Sequence, residues 1–270
     1  MKEEFFIKHI NSKFIGDDGA FIDKKVYASD MFFEDIHFKK EWFSLKDIAI
    51  KASLVNLSDI VVMNAKPKWV LLDIGFPKSY TLKEIKELVQ GFNETAKKYG
   101  YEIIGGDTIK NSKLAIAMTF VGESKKPVFR KAKLNEYVAF TGDLGSVDRD
   151  LKRLLRGGKI NKNSKFIRPT IRDKFFYKAS RYITSALDIS DGLFKELERI
   201  SKTSKVGFKF FKKFDKRIGC SGEEYEILFT FPKKNLSHIL NIANRTRTKI
   251  NVFAVTKRGK FRSICKENHF

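Results

Sequence analysis

Residues Leu45 to Met63 constrain the fold more than any other stretch of this chain. Ser44 followed by Asp47 fits a capping box and sets a helix start. The stretch that follows is mostly apolar on every side, and a helix without a polar face belongs inside a core. Two of its residues do not suit that position. Asn56 and Asp59 are three apart and therefore share one helix face. An ionised carboxylate inside a core is costly unless it is paired or bound to a metal. The same helix is thus expected to build the core and to mark a site.

Strands and helices alternate around it. Val26 to Phe33 reads as a strand, entered through Gly16-Asp17-Asp18-Gly19 and the short run Ala20-Phe21-Ile22. Trp69 to Phe76 is a second strand, closed by Pro77. Thr81 with Glu84 caps a helix whose apolar stripe (Ile85, Leu88, Phe92, Ala96, Tyr99) ends at Gly100. Tyr101 to Ile104 and Leu114 to Val121 follow as strands. After a polar, basic stretch at 123–135 the pattern restarts. Strands are predicted at 137–141, 225–231 and 250–255; the turn Gly142-Asp143-Leu144-Gly145-Ser146 leads to a helix that ends near Gly157-Gly158, and further helices are predicted over about 172–183 and to about 201 after Asp188 to Leu193, with His238 in a later helix. The fold class is α/β (α+β), as two mixed α/β domains in series, 1–125 and 126–270.

Composition narrows the function classes. Apolar residues make up 42% and charged residues 32% of 270, which fits a globular chain rather than a disordered or coiled-coil one. No apolar run is long enough for a spanning helix, and the first residues lack the pattern of a signal peptide. Cys220 and Cys265 are too few for a disulfide framework and are not in a metal-ligand spacing. The expected location is the cytoplasm, with no membrane partner. Charge is unevenly spread: residues 1–120 carry 18 Lys+Arg against 17 Asp+Glu, and residues 121–270 carry 36 against 15. Such an excess either meets an anionic partner such as RNA or is a solvated lysine-rich surface. The basic runs lack the aromatic interleaving of a single-strand binding groove, so no specific nucleic acid is expected.

The informative residues are acids at turns, strand ends and core positions. Asp17 and Asp18 sit between glycines, Asp30 lies inside a strand beside Ser29, and Asp107 follows Gly105-Gly106. Asp188 and Asp191 bracket Ser190 ahead of a helix. Singly, Asp18 reads as a turn residue, Asp191 as an N-cap and Asp107 as an Asx-turn. Together with Asp59 they read as a set of hard oxygen ligands suited to Mg²⁺, and Mg²⁺ suits phosphates. Neither a G-x-x-x-x-G-K-[ST] loop nor a G-x-G-x-x-G loop is present. Any ATP site here lacks both standard glycine loops.

Six blocks in order carry a family likeness. They are Gly16-Asp17-Asp18-Gly19-Ala20, Ser29-Asp30-Met31 with His37-Phe38, Asn56-Leu57-Ser58-Asp59, Gly105-Gly106-Asp107-Thr108, Asp188 to Leu193, and Gly222-Glu223-Glu224-Tyr225-Glu226. The series resembles the thiamine-monophosphate kinases of the aminoimidazole-ribonucleotide-synthetase-like superfamily and covers nearly the whole chain. The resemblance implies ATP-dependent phosphorylation of thiamine monophosphate to thiamine diphosphate. It also implies a homodimer joined through N-terminal domains, with ATP and several Mg²⁺ ions held between domains. By the same resemblance, Asp18, Asp30, Asp59, Asp107 and Asp188 are Mg²⁺ ligands, and Ser29 and Asp191 are further metal contacts. Tyr99, Gly106, Asp107, Arg130 and Ser190 resemble the nucleotide contacts, and His37 and Glu223 the contacts to thiamine monophosphate. No dedicated catalytic base is implied. Alternatives are a sister ATP-using synthetase on the same scaffold and a basic nucleic-acid-binding module. The sequence departs from the family pattern in a short segment between Phe208 and Gly222, in Ser221 for a glycine, and in Glu267 where an aromatic residue usually stacks on the substrate. These departures bear on substrate affinity rather than on phosphoryl chemistry.

Overall fold

A computed structural model describes residues 2–266 of the chain; Glu267 lies outside the described residues. Helix α1 (Lys2–Lys8) is followed by the glycine-bracketed turn and the hairpin of β1 (Ala20–Ile22) and β2 (Lys25–Phe33). Helix α2 (Leu45–Val62) starts as its sequence requires, with the Ser44 hydroxyl accepting the Asp47 N–H at 3.1 Å. Strand β3 (Lys66–Phe76) leads to α3 (Leu82–Tyr99). Both halves of the Thr81–Glu84 capping box form, and Gly100 ends α3 at φ 72°. Strands β4 (Glu102–Gly105) and β5 (Thr108–Lys110) pair in parallel with β3, and β6 (Ala115–Glu123) runs antiparallel between β2 and β3. The first sheet therefore has the order β1-β2-β6-β3-β4, with β5 also on β3.

The second sheet starts at β7 (Glu136–Thr141). Helices α4 (Ser146–Leu155) and α5 (Asp173–Ala179) precede β8 (Ser185–Asp188), α6 (Leu193–Ser204) and β9 (Val206–Phe210). Helix α7 (Lys216–Gly219), β10 (Ile227–Pro232), α8 (Leu236–Arg245) and β11 (Ile250–Arg258) complete it. The order is β8-β10-β7-β11-β9, antiparallel throughout. The helix expected over 172–183 is α5 followed by a 3₁₀ turn at Ser180–Tyr182. The strand expected from 225 starts at Ile227, because Tyr225 has φ 48° and cannot sit in a ladder.

Helix α2 holds the two sheets together. All of its residues are buried except Lys46, Asp47 and Asp59. It packs on β2, β3 and β6 of the first sheet, on α3 alongside, and on α5 and β8 of the second half. One core accordingly runs from Phe32 and Phe120 through α2 to Phe175, Phe176 and Phe229. Period-2 alternation in the second sheet separates a further core: Ala139, Ala186 and Phe229 face α2, while Val138, Phe140, Leu187 and Leu228 face α6 and Phe253. The two cysteines, too few for a framework of several bridges, form a single bond joining the end of α7 to the C-terminal segment. Cysteine count therefore lends no support to the expected compartment. Among the described residues no helix is long and apolar enough to cross a membrane.

Candidate active site

Three of the acids meet at the seam between the sheets. Asp18 precedes β1, Asp59 projects from the last turn of α2, and Asp188 ends β8; their carboxylate oxygens all lie within 4.8 Å of one another. Asp30, from β2, hydrogen-bonds to Asp59. One turn of α2 organises the group. Asn56 accepts the Asp30 N–H on its Oδ1 at 2.8 Å, and the Ser58 hydroxyl donates to Asp188. Asn56 and Asp59 share one face of α2, as their spacing requires, and both meet Asp30; Ser58 adds a contact that sequence reasoning missed.

Electrostatics makes this cluster costly when fully ionised. Two unit charges 4.8 Å apart repel by about 3 kcal/mol at an effective dielectric near 20. Burial first, then the charges of Asp30, Asp188 and Asp18, pushes the Asp59 carboxyl well above the usual carboxylate range. Burial and Asp18 do the same to Asp188. Asp30 is also raised, mainly by burial, although its hydrogen bond with Asp59 acts the other way. Protons or a divalent cation relieve such a group, and a compact all-oxygen donor set fits a hard cation such as Mg²⁺.

Two arginines border the acids. Arg130 donates from Nε (3.3 Å) and Nη2 to the two oxygens of Asp18, while its backbone N–H meets Asp17 at 2.6 Å. Arg199 donates from Nη2 to Asp191 and from Nη1 to both oxygens of buried Glu196, at 2.7 and 2.8 Å. Asp18 and Asp191, both expected as metal contacts, are thus ion-paired here. The Ser190 carbonyl accepts the Glu223 N–H at 2.6 Å.

The remaining expected residues lie outside the converging group. Ser29 alternates with Asp30 on β2 and points to the outer face of the first sheet, bonded to Thr119 at 2.9 Å. Asp107 lies in the exposed turn between β4 and β5, accepting the Thr108 N–H and donating its own N–H to Asp73, both at 2.8 Å. The preceding Gly106, at φ 140°, has no room for a Cβ against the Leu72 carbonyl. Tyr99 packs against the core and, with Thr170 and Ile171, lines a cavity of about 220 Å³. His37 Nδ1 accepts the Phe33 N–H at 3.0 Å, which leaves the proton on Nε2, and its ring lies 5.4 Å from that of Phe32.

The Gly222–Glu226 loop owes its shape to two of its three glutamates. Glu224 accepts from the Gly145 N–H and the Ser221 hydroxyl, each at 2.6 Å, and from Lys165 at 2.8 Å. Glu226 accepts from Thr141 at 2.6 Å and from Arg172 through two bonds of 2.8 Å. These bonds secure a backbone with left-handed residues at Glu223 (φ 55°) and Tyr225 (φ 48°), each costing about 1–3 kcal/mol on its own. Glu223 instead reaches across the seam to Lys51 of α2, at 2.7 Å. Sequence reasoning missed Lys51, although a lysine amid the apolar residues of α2 was a visible signal.

Comparisons with known proteins identify the family of the chain. Residues 16–124 match the model of the AIR synthase related protein N-terminal domain. The thiamine-monophosphate kinase of Bacillus subtilis is 36% identical over 213 residues, 72% of this chain and 66% of its own length. That of Buchnera aphidicola subsp. Schizaphis graminum is 34% identical over 263 residues, covering 86% of this chain and 80% of its own. The solved structure of AaThiL complexed with AMPPCP and TMP superposes with a TM-score of 0.86 at 24% identity, over 96% of this chain and 91% of that one. With a third of its residues shared with a relative over most of both lengths, the chain belongs to the thiamine-monophosphate kinase family.

Proposed function

We propose that the protein transfers the γ-phosphoryl group of ATP to thiamine monophosphate, releasing thiamine diphosphate and ADP, at the Asp18–Asp30–Asp59–Asp188 cluster. The observation that carries this reading is the convergence of acids from separate segments of the chain at the seam of the two sheets. Family membership supports it, as does a fold shared with AaThiL in its complex with AMPPCP and TMP.

The acceptor is a phosphate oxygen, already ionised at neutral pH, so these residues need not supply a base. What they must supply is position and charge balance. Asp18, Asp30, Asp59 and Asp188 would hold Mg²⁺, with Asp107 and Asp191 as further contacts, whereas the side chain of Ser29, expected among them, faces away on the outer side of the first sheet. Mg²⁺, when bound, neutralises phosphate charge and holds the in-line geometry. Tyr99, Gly106, Asp107, Arg130 and Ser190 would bind the nucleotide, with Arg130 exchanging Asp18 for a phosphate. His37 and Glu223 would bind thiamine monophosphate, the Nε2–H of His37 acting as donor.

The reading includes a homodimer. The outer face of the first sheet leaves Tyr27, Met31, Leu71 and Ile109 exposed, an apolar surface that a second copy would cover. ATP as co-substrate puts the reaction in the cytoplasm. Incubation with ATP, Mg²⁺ and either thiamine monophosphate or thiamine tests the assignment. Thiamine diphosphate and ADP are expected from the monophosphate alone; a protein that yields no diphosphate from it does not have this function.

A further inference from the structure

Lys51 is only 1% exposed, at the middle of α2. Its ammonium lies 4.0 Å from the ring centroid of Phe166 and 5.6 Å from those of Phe32 and Phe43. These rings come from β2, from the segment entering α2 and from the loop between α4 and α5. A buried ammonium needs a counter-charge. Among the described residues its one carboxylate partner is Glu223, whose Oε2 is 2.7 Å away. Two turns of helix separate Lys51 from Asp59, and it takes no part in the acid cluster.

Glu223 is the exposed end of this pair. Its side chain keeps 25% of its surface accessible while Lys51 takes Oε2. Its backbone is fixed from the other side by the bond to the Ser190 carbonyl. A free glutamate carboxylate samples several rotamers, and binding a ligand would have to freeze them. Here the buried cation has already done so, through the 2.7 Å contact to Oε2. Thiamine monophosphate offers what such a carboxylate recognises: an aminopyrimidine N–H donor and a thiazolium charge.

We propose that Lys51 is a positioning residue that holds the Glu223 carboxylate in one orientation for thiamine monophosphate; this rests on the functional reading above. Lys51 touches neither substrate. Its aromatic surround passes its own fixed position on to Glu223, linking α2 to the substrate loop across the seam.

Steady-state kinetics on the full chain decides the matter. Lys51→Met is expected to raise KM for thiamine monophosphate about ten-fold or more, leaving KM for ATP and kcat within about three-fold. Lys51→Arg, which keeps the charge, is expected to recover most of that loss. The double variant Lys51→Met/Glu223→Gln is expected to match Glu223→Gln alone, because Lys51 acts only through Glu223. The double variant also removes both charges of the pair, so it remains measurable if Lys51→Met alone does not fold. An unmoved KM for thiamine monophosphate in folded Lys51→Met overturns the role of Lys51. So does a KM that rises equally for both substrates, or a double variant clearly worse than Glu223→Gln. A wild-type protein with no kinase activity overturns the functional reading and this one with it, whereas an active wild type isolates the failure to Lys51.

Discussion

Asp59 is held in place by the core and opposed by its neighbours. Burial and three acids raise its proton affinity, so without a cation its charge works against the folded state. Asp59→Asn keeps the shape and a hydrogen bond for Asp30 while removing one negative charge. We expect kcat to fall by about 100-fold or more while Tm without Mg²⁺ rises by a few degrees, about 2–4 °C per kcal/mol for a chain of this size. Activity assays and thermal unfolding of one preparation check both; a fall in Tm would mean that Asp59 is structural. Ser58→Ala should act in the opposite sense. It removes the hydroxyl donor to Asp188 within a buried pair, costing about 1 kcal/mol of stability, with a higher Mg²⁺ concentration needed for half-maximal rate. Part of this was legible from sequence, since Asp59 and Asp30 were charges where charges do not belong. Lys51 and Ser58 were not read. A lysine in an apolar helix passes for one that extends to solvent, and the rings and the carboxylate that surround it lie as far as residue 223.

At the scale of elements, local chemistry made some structures readable and long-range pairing hid others. Helix α3 could be bounded at both ends because Thr81, Glu84 and Gly100 each satisfy backbone groups within one turn. Strands β5 and β9 have no such local signal. Three-residue β5 is defined by β3, over thirty residues earlier, and β9 by β11, nearly fifty later. The disulfide escaped for the same reason, because 45 residues separate Cys220 from Cys265. It closes a loop that restricts the unfolded chain, a contribution of about 2–4 kcal/mol. Cys265→Ser and reduction of the wild type by dithiothreitol should therefore lower Tm by the same amount, and dithiothreitol should not lower it further in the variant. Equal Tm values in oxidised and reduced wild type would show that the C-terminal segment is anchored by Phe261 against Phe194, Phe208 and Phe210 instead.

Over the whole molecule, two groups of carboxylates set opposite pH limits. Glu84, drawn down to about 2 by the Thr81 N–H, Lys40 and the Thr81 hydroxyl, supports the fold above the ordinary glutamate range. That support is lost as pH falls toward 2. Asp30, Asp59, Asp188 and Glu196 are raised, each chiefly by burial. Between the ordinary carboxylate value of about 4 and their raised values, the folded chain holds more protons than the unfolded one. Stability therefore declines as pH climbs through that window. Mg²⁺ reverses the sign at the cluster, because it binds the ionised carboxylates and displaces the protons. Without Mg²⁺, Tm should be highest near the ordinary carboxylate range and drop as pH rises above it. With Mg²⁺ the gain in Tm should be larger at pH 8 than at pH 5.5, and chelation should abolish it. Thermal unfolding across a grid of pH and Mg²⁺ concentration measures both trends at once. A Mg²⁺ gain that is equal or greater at the acid end would place the cation elsewhere, since only a site already stripped of protons is indifferent to them. Asp59→Asn in the same grid ties the trend to the seam, because losing that carboxylate should flatten the alkaline decline and shrink the Mg²⁺ gain together.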